Sequence, residues 1–188
     1  MTETRSATDP RSGALRHNLA VPIQQRALRL AVLKLTGTVL KGTHFFRIKA
    51  PLFRACGYSV AKTVRIVGPI HMSTRCGLSI GEESWIGTGL TIHGNGSVVI
   101  GSNCDLGPEV ACLTGTHSIG TARRRAGKGH STVVNISDGC WIGARSTLVG
   151  TVDIGSGSVV GACSLVIRNL DEDSLAAGIP AREIRTLS

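Results

Sequence analysis

Aliphatic side chains recur at every sixth position in the C-terminal half of this 188-residue chain. A period of six fits neither an ordinary helix nor a flat strand. The second and fifth residues of the repeats are mostly small, and small residues fit inside sharp corners where glycine also accepts turn backbone angles. Each hexad therefore predicts one short strand followed by a bend. Six consecutive hexads from residue 136 to residue 171 begin with Ile136, Ile142, Leu148, Ile154, Val160 and Val166.

An earlier stretch has the same period, with one interruption of two residues that predicts a bulged corner at 93–97. Hexad spacing is typical of a parallel β-helix, in which three bends close each coil and stacked coils share one core. No segment between residues 80 and 171 has the apolar spacing of a helix, which disfavours a sheet of alternating strands and helices. The earlier aliphatic positions are Ile80, Ile86 and Ile92, then Ile100, Leu106 and Cys112.

The sequence divides into three predicted regions. Residues 1–18 are polar and predicted to be a disordered tail. Residues 19–59 are predicted to be a basic amphipathic helical segment, with an apolar face formed by Leu28, Ala31, Val32, Leu35 and Val39. Residues 60–188 are predicted to be an all-β domain, with a loop at 113–133 and a short C-terminal helix or tail at 172–188 that covers the last coil.

Positive charge is concentrated in the N-terminal part of the chain. Residues 1–70 carry 12 basic and 2 acidic side chains, whereas residues 71–188 carry 9 and 10. A basic amphipathic helix either docks over the first coil or makes a peripheral membrane contact through residues 22–42. Its apolar run is too short to span a bilayer. Aromatic residues are only 3% of the chain and no nucleic-acid-binding motif is present, so nucleic acid is not an expected partner.

The six cysteines are not arranged in CxxC pairs. Cys104 and Cys140 fall at the small corner position, where cysteine is a compact apolar filler. A reduced environment is expected. The predicted location is therefore the cytoplasm, with a possible position at the inner membrane surface.

The hexad spacing breaks between Cys112 and Ile136, where a loop contains the stretch Thr114-Gly-Thr-His117. A repeat scaffold can place a site on such an excursion without disturbing the stack. From its position alone, His117 is either a structural or a catalytic residue.

The Thr-Gly-Thr-His stretch, the hexads and the later Ala177-Gly-Ile-Pro-Ala-Arg182 together resemble the hexapeptide-repeat O-acetyltransferases, over about residues 60 to 185. The stretches 64–70, 116–120 and 124–127 are more similar to the capsule and exopolysaccharide branch than to the maltose type. The resemblance implies a homotrimer of left-handed parallel β-helices with an active site between neighbouring subunits. It also implies acetyl-CoA as co-substrate, a hydroxyl of a sugar, glycan or glycosylated small molecule as acceptor, and no metal or permanently bound cofactor.

The resemblance also assigns roles to residues. His117 would be the general base, since an imidazole with an ordinary pKa of about 6.5 can take a hydroxyl proton at neutral pH. Asn95, Thr116 and Trp141 would contact the acceptor, and Trp141 would also line the cofactor cleft. The remaining cofactor contacts would be Ala144 and Ala162 along the pantetheine, and Arg168, Arg182 and Arg185 at the phosphates.

Other functions stay open. Where the maltose and galactoside types have an Asp and an Asn for the acceptor, this sequence has Asn95 and Gly87, so a different sugar is expected. Arg123, Arg124, Arg125 and Lys128 could contact an anionic acceptor. The alternatives are a streptogramin-type antibiotic acetyltransferase, an amino-sugar N-acetyltransferase, a serine acetyltransferase, and a non-catalytic β-helix that binds a partner. A γ-class carbonic anhydrase would need His-x4-His, and the fifth residue after His117 is Ala122.

Overall fold

The computed structural model describes residues 21–187, and the predicted tail at 1–18 lies outside them. In this part of the chain, two helices precede a stack of short strands. They are α1 (Ile23–Thr38) and α2 (Phe46–Ala55). The first three coils of the stack consist of β1 (Ser59–Val60), β2 (Arg65–Ile66) and β3 (Ile70–Met72), then β4 (Gly77–Ile80), β5 (Trp85–Ile86) and β6 (Leu90–His93), then β7 (Ser97–Ile100), β8 (Asp105–Leu106) and β9 (Ala111–Leu113).

A hairpin of β10 (Gly115–Ile119) and β11 (Ala126–Ser131) interrupts the stack after the third coil. Two more coils follow, and β18 begins a sixth. These strands are β12 (Val133–Ile136), β13 (Trp141–Ile142) and β14 (Thr147–Val149), then β15 (Val152–Ile154), β16 (Val159–Val160) and β17 (Leu165–Val166), and finally β18 (Ser174–Gly178) and β19 (Ala181–Thr186).

The strands form three parallel sheets, one on each side of a triangular prism. Sheet 1 contains β1, β4, β7, β12 and β15, and sheet 3 contains β3, β6, β9, β14 and β17. Sheet 2 contains β2, β5, β8, β13, β16 and β18, with β19 added antiparallel at its end. We name each corner by the two sheets that it joins. The parallel β-helix predicted from the hexads is confirmed.

The hexad residues form the core because each occupies the inward position of its strand. Ile136, Ile142 and Leu148 are completely buried and lie in register with the matching residues of the coils above and below. The small fifth residues bind across coils: Ser146 Oγ donates to Gly161 O at 2.9 Å and Cys140 Sγ donates to Gly155 O at 3.1 Å. Buried hydroxyl and thiol groups thus find partners inside the corners.

Both helices pack on the first coils through polar anchors. Arg29 is buried on α1, where its Nε donates to Cys56 O at 3.0 Å and its Nη1 donates to Thr74 O at 2.9 Å. The guanidinium also lies 4.1 Å from the centre of the Tyr58 ring. Lys49 of α2 is buried, which lowers the pKa of its amine, and its Nζ donates to Gly42 O and Val67 O at 2.6 and 2.7 Å.

The structure adds two details at the predicted ends. Of the five residues predicted as the apolar face of the first helix, only Val32 is buried, because Arg29 and Thr36 occupy the rest of the docking face. In the segment predicted as a short C-terminal helix or tail, residues 174–186 form the β18–β19 hairpin, so this tail is a strand pair. β18 extends the hydrogen bonding of β16, and the prolyl residue Pro180, which lacks a backbone N–H, lies in the turn between β18 and β19.

Candidate active site

The β10–β11 hairpin carries His117 away from the corner between sheets 3 and 1. At its root, buried Thr114 donates its Oγ1 to His93 O at 2.9 Å and accepts a hydrogen bond from Gly96 N at 3.1 Å. The bulged corner predicted at 93–97 is therefore bonded to the start of the hairpin. Further out, Thr116 pairs with His130 and His117 pairs with Gly129. This pairing holds the imidazole at a defined distance from the stack.

A backbone hydrogen bond determines the tautomer of His117. The ring Nδ1 lies 2.9 Å from Gly127 O, and a carbonyl oxygen can only accept, so Nδ1 carries the proton. Nε2 of the neutral ring is then the atom with a free lone pair. A Cβ on the neighbouring Gly129 would lie 3.4 Å from Cε1 of the imidazole, so glycine leaves space beside the ring. The arrangement suits a general base.

Three of the predicted site residues line one groove of about 520 Å³ beside the hairpin: Asn95, Thr116 and His117. Asn95 lies at the bulged corner, and its Oδ1 accepts a hydrogen bond from Ser73 Oγ at 3.0 Å. His93 and His130 line the same groove. Within residues 21–187, no set of three His, Cys, Asp or Glu side chains is grouped so that it could hold a metal ion.

The predicted cofactor wall lies at a different corner, between sheets 2 and 3. Ala144 and Ala162 occupy equivalent places in successive coils, and a Cβ on Gly107 would lie 2.7 Å from Ala144 N. The backbones of successive coils therefore approach closely at this corner. An exposed ion pair joins Arg145 Nε to Glu109 at 2.7 Å on the same corner and raises the pKa of Arg145.

The predicted basic residues are divided between two places. Arg182 and Arg185 lie on β19, opposite Ala177 and Leu175, at the end of sheet 2. Arg168 follows β17 and therefore lies at the corner between sheets 3 and 1, on the side of the prism from which the hairpin leaves. All three side chains are exposed.

The predicted site residues therefore lie in two separate groups on a single chain, which we call candidate half-sites. The His117 groove opens at the corner between sheets 3 and 1, whereas Ala144 and Ala162 lie at the corner between sheets 2 and 3. Trp141 projects from the outer face of sheet 2 and is 58% exposed. Within one chain, the structure does not bring Trp141 or the cofactor wall to His117.

Sequence reasoning missed a second groove, of about 560 Å³, on the outer face of sheet 2. Trp85, Asp105 and Trp141 lie side by side on β5, β8 and β13, and Thr43 and Thr88 also line the groove. Within residues 21–187, the Asp105 carboxylate accepts no hydrogen bond. A signal was available, because each of these three residues directly precedes an inward aliphatic residue of its hexad.

No protein-family model matches the chain. A Saccharomyces cerevisiae protein named as a candidate acetyltransferase is 34% identical over 120 residues, which are 64% of this chain and 61% of that protein. Galactoside O-acetyltransferase of Escherichia coli is 29% identical over 130 residues, 69% of this chain and 64% of the relative. The chain thus spans less than two thirds of the length of these two curated relatives.

The solved structures agree with these sequence matches. A hexapeptide-repeat acetyltransferase of Vibrio cholerae, crystallised with acetyl coenzyme A, superposes with a TM-score of 0.74 at 25% identity and 88% coverage of both chains. The chain is thus similar in sequence to acetyltransferases and has the fold of a hexapeptide-repeat acetyltransferase. Two further features of this chain are the Trp85–Asp105–Trp141 row and the cationic tip of the His117 hairpin, where Arg123, Arg124 and Arg125 are exposed.

Proposed function

We propose that the protein is an acetyl-CoA-dependent O-acetyltransferase that acts on a hydroxyl of a sugar, a glycan or a glycosylated small molecule. The observation that carries this proposal is the Nδ1–Gly127 hydrogen bond, which leaves Nε2 of His117 free above an open groove. The Vibrio cholerae relative was crystallised with acetyl coenzyme A, which supports the identity of the donor.

The reaction needs one base and no enzyme nucleophile. Nε2 of His117 takes the proton of the acceptor hydroxyl while the oxygen attacks the thioester carbon of acetyl-CoA. The tetrahedral intermediate collapses by breaking the C–S bond, and the imidazolium returns its proton to the departing CoA thiolate. Ala144 and Ala162 would pack along the pantetheine arm, and Arg168, Arg182 and Arg185 would bind the phosphates.

The two half-sites support a homotrimer in which the site lies between chains. The hairpin of one subunit would face the cofactor wall and Trp141 of its neighbour. A complementation experiment tests this arrangement, because His117→Ala and Ala162→Trp chains damage different halves. At an acetyl-CoA concentration well below the raised KM of the Ala162→Trp variant, mixed trimers of the two impaired variants should regain activity wherever an intact hairpin meets an intact wall. If each chain held its own complete site, mixing would restore nothing. Light scattering should give three times the 19.6 kDa chain mass, and a monomer mass would overturn a site shared between chains.

The Trp85–Asp105–Trp141 row favours a saccharide acceptor. Indole faces pack against the C–H face of a sugar ring, and a carboxylate accepts hydrogen bonds from its hydroxyls. The relative from Escherichia coli is named as a galactoside O-acetyltransferase, which supports this class. Asp105→Asn should raise KM for the acceptor about tenfold, the loss of a charge-assisted hydrogen bond, and leave KM for acetyl-CoA unchanged. An unchanged acceptor KM would remove Asp105 from the site.

The main test supplies acetyl-CoA with a panel of saccharides, an amino sugar and L-serine, and follows the release of free CoA and the mass of the product. We expect O-acetylated saccharide. Serine acetyltransferase 4 of Arabidopsis thaliana is 38% identical over 109 residues, although these are only 29% of that protein. Turnover of L-serine with no reaction of any saccharide would establish the serine alternative, and N-acetylated product would establish the amino-sugar alternative.

No helix among the described residues is long and apolar enough to cross a membrane. We propose a cytoplasmic location for the protein.

A further inference from the structure

Helix α1 is amphipathic in the opposite sense to an ordinary surface helix. Its docking side buries Arg29, Val32 and Thr36, and its other side faces outward. A helix at a protein surface normally buries its apolar face and exposes its polar face. Nine residues of α1 are exposed, and six of them are apolar. The apolar ones are Ile23, Ala27, Leu28, Leu30, Ala31 and Leu35, and the polar ones are Gln24, Lys34 and Thr38.

The apolar surface continues beyond α1. Val39 is 66% exposed, Phe45 is 49% exposed and Ile48 of α2 is 47% exposed. Seven of the twelve large hydrophobic residues that are exposed in the described chain lie between residues 23 and 48. A cluster of this kind on a soluble protein marks an interaction surface.

The charge of this region identifies the kind of partner. No acidic residue occurs between residues 10 and 81, and the exposed cations Lys34, Lys41 and Arg47 lie among the apolar side chains. Neither helix has an acidic residue in its first turn. A face with this composition repels a second copy of itself and attracts an anionic surface. Apolar side chains with interspersed Lys and Arg match an anionic bilayer.

We propose that the outward face of α1, extended by Val39, Phe45 and Ile48, docks the protein on an anionic lipid surface. Docking also has a geometric relation to the His117 groove. A groove between α1 and sheet 3 includes Lys34, His71 and Met72, and the next groove shares His71 and Met72 and continues to His93 and Gly94. His93 and Gly94 also line the His117 groove.

The active-site groove therefore lies near the docked surface. From β3, beside α1, to β9, before the hairpin, sheet 3 advances by two strand spacings, which is about 10 Å. A saccharide attached to a membrane lipid could reach His117 over this distance. The lipid-linked acceptor in this inference rests on the proposed function. The docking surface is inferred independently, from the exposed face of α1.

Vesicle co-sedimentation tests the proposal with the full chain. Vesicles that contain one third phosphatidylglycerol should bind the protein, and pure phosphatidylcholine vesicles should bind it at least tenfold more weakly, with binding to the anionic vesicles falling as salt is raised. The affinity of a Leu28→Gln/Leu35→Gln double variant for the vesicles should fall at least tenfold, because two apolar side chains no longer insert into the bilayer. Lys34→Gln/Lys41→Gln should lose about fivefold per charge. Ile184→Gln, at an apolar position on β19 that is more exposed than either leucine, is the matched control and should bind like the parent.

Equal binding to neutral and anionic vesicles, or unchanged binding by the leucine variant, would overturn the proposal. A lower oligomeric state of the leucine variant in the absence of lipid would also overturn it, because the face would then be an interface between copies. Transfer to a soluble acceptor is measured in parallel. Loss of vesicle binding with retained transfer separates docking from catalysis, and vesicle binding without transfer to any acceptor would count against the proposed function alone.

Discussion

Replacing His117 by alanine should abolish most of the acetyl transfer and leave the fold intact. The side chain is exposed on the β10–β11 hairpin, and its removal breaks one exposed hydrogen bond, from Nδ1 to Gly127 O. Surface substitutions of this kind change the free energy of unfolding by less than about 0.5 kcal/mol. Loss of a general base slows a reaction by about 10² to 10⁴, which corresponds to a barrier higher by about 3 to 5 kcal/mol.

The assay follows free CoA with a thiol reagent under saturating acetyl-CoA, and thermal unfolding checks the fold. Free imidazole added to the alanine variant should restore part of the rate, because the groove of about 520 Å³ is open to a small base. The matched control is His44→Ala, which removes an exposed histidine from the connection between the helices. Its rate on a soluble acceptor should equal that of the parent.

The reasoning would be refuted if the His117→Ala protein kept more than a tenth of the parent rate with an unchanged unfolding temperature. The base would then have to be another group, and the hydrogen bond to Gly127 would only stabilise the hairpin. A variant that loses activity but also unfolds at a lower temperature would instead show that the ring is structural, contrary to its exposure.

Three further predictions concern the cofactor wall and the helix anchor. Ala162→Trp places an indole on the smooth corner between sheets 2 and 3 and should raise KM for acetyl-CoA at least tenfold, measured by initial rates, without loss of thermal stability since Ala162 is exposed. Arg29→Met removes the guanidinium donor from the carbonyl oxygens of Cys56, Thr74 and Cys76, although Cys56 O keeps Gln25 Nε2 as a donor. The substitution should lower the free energy of unfolding in urea by about 3 kcal/mol, whereas the exposed control Lys34→Met should change it by less than about 0.5 kcal/mol. Burial raises the pKa of Tyr58 to about 12, above its ordinary value near 10, so the folded state retains the phenol proton up to a higher pH than the unfolded state does. The free energy of unfolding should therefore fall by about 2 kcal/mol between pH 10 and pH 12, and urea titrations of Tyr58→Phe should lack this part of the fall.

The inward positions of the residues that recur at every sixth place were predictable without any knowledge of distant contacts. Ile136, Ile142 and Leu148 are inward because the chain bends after every hexad, and the bend is encoded by the small residues beside them. The excursion that carries His117 was visible for the same reason, as a break in a regular spacing. Its tautomer was not, because the acceptor of the Nδ1 proton, Gly127 O, comes from the other strand of the hairpin.

Tertiary structure decided the features that depend on partners far along the chain. Arg29 is the centre of the docking face of α1 because it finds carbonyls at Cys56 and Thr74, 27 and 45 residues away, and no helical periodicity reveals such acceptors. The row that places Asp105 between two tryptophans exists only when three coils stack in register. Local spacing thus determined the core, the turns and the position of the candidate base, whereas contacts between distant segments decided which helix face is free and which half-sites each chain presents.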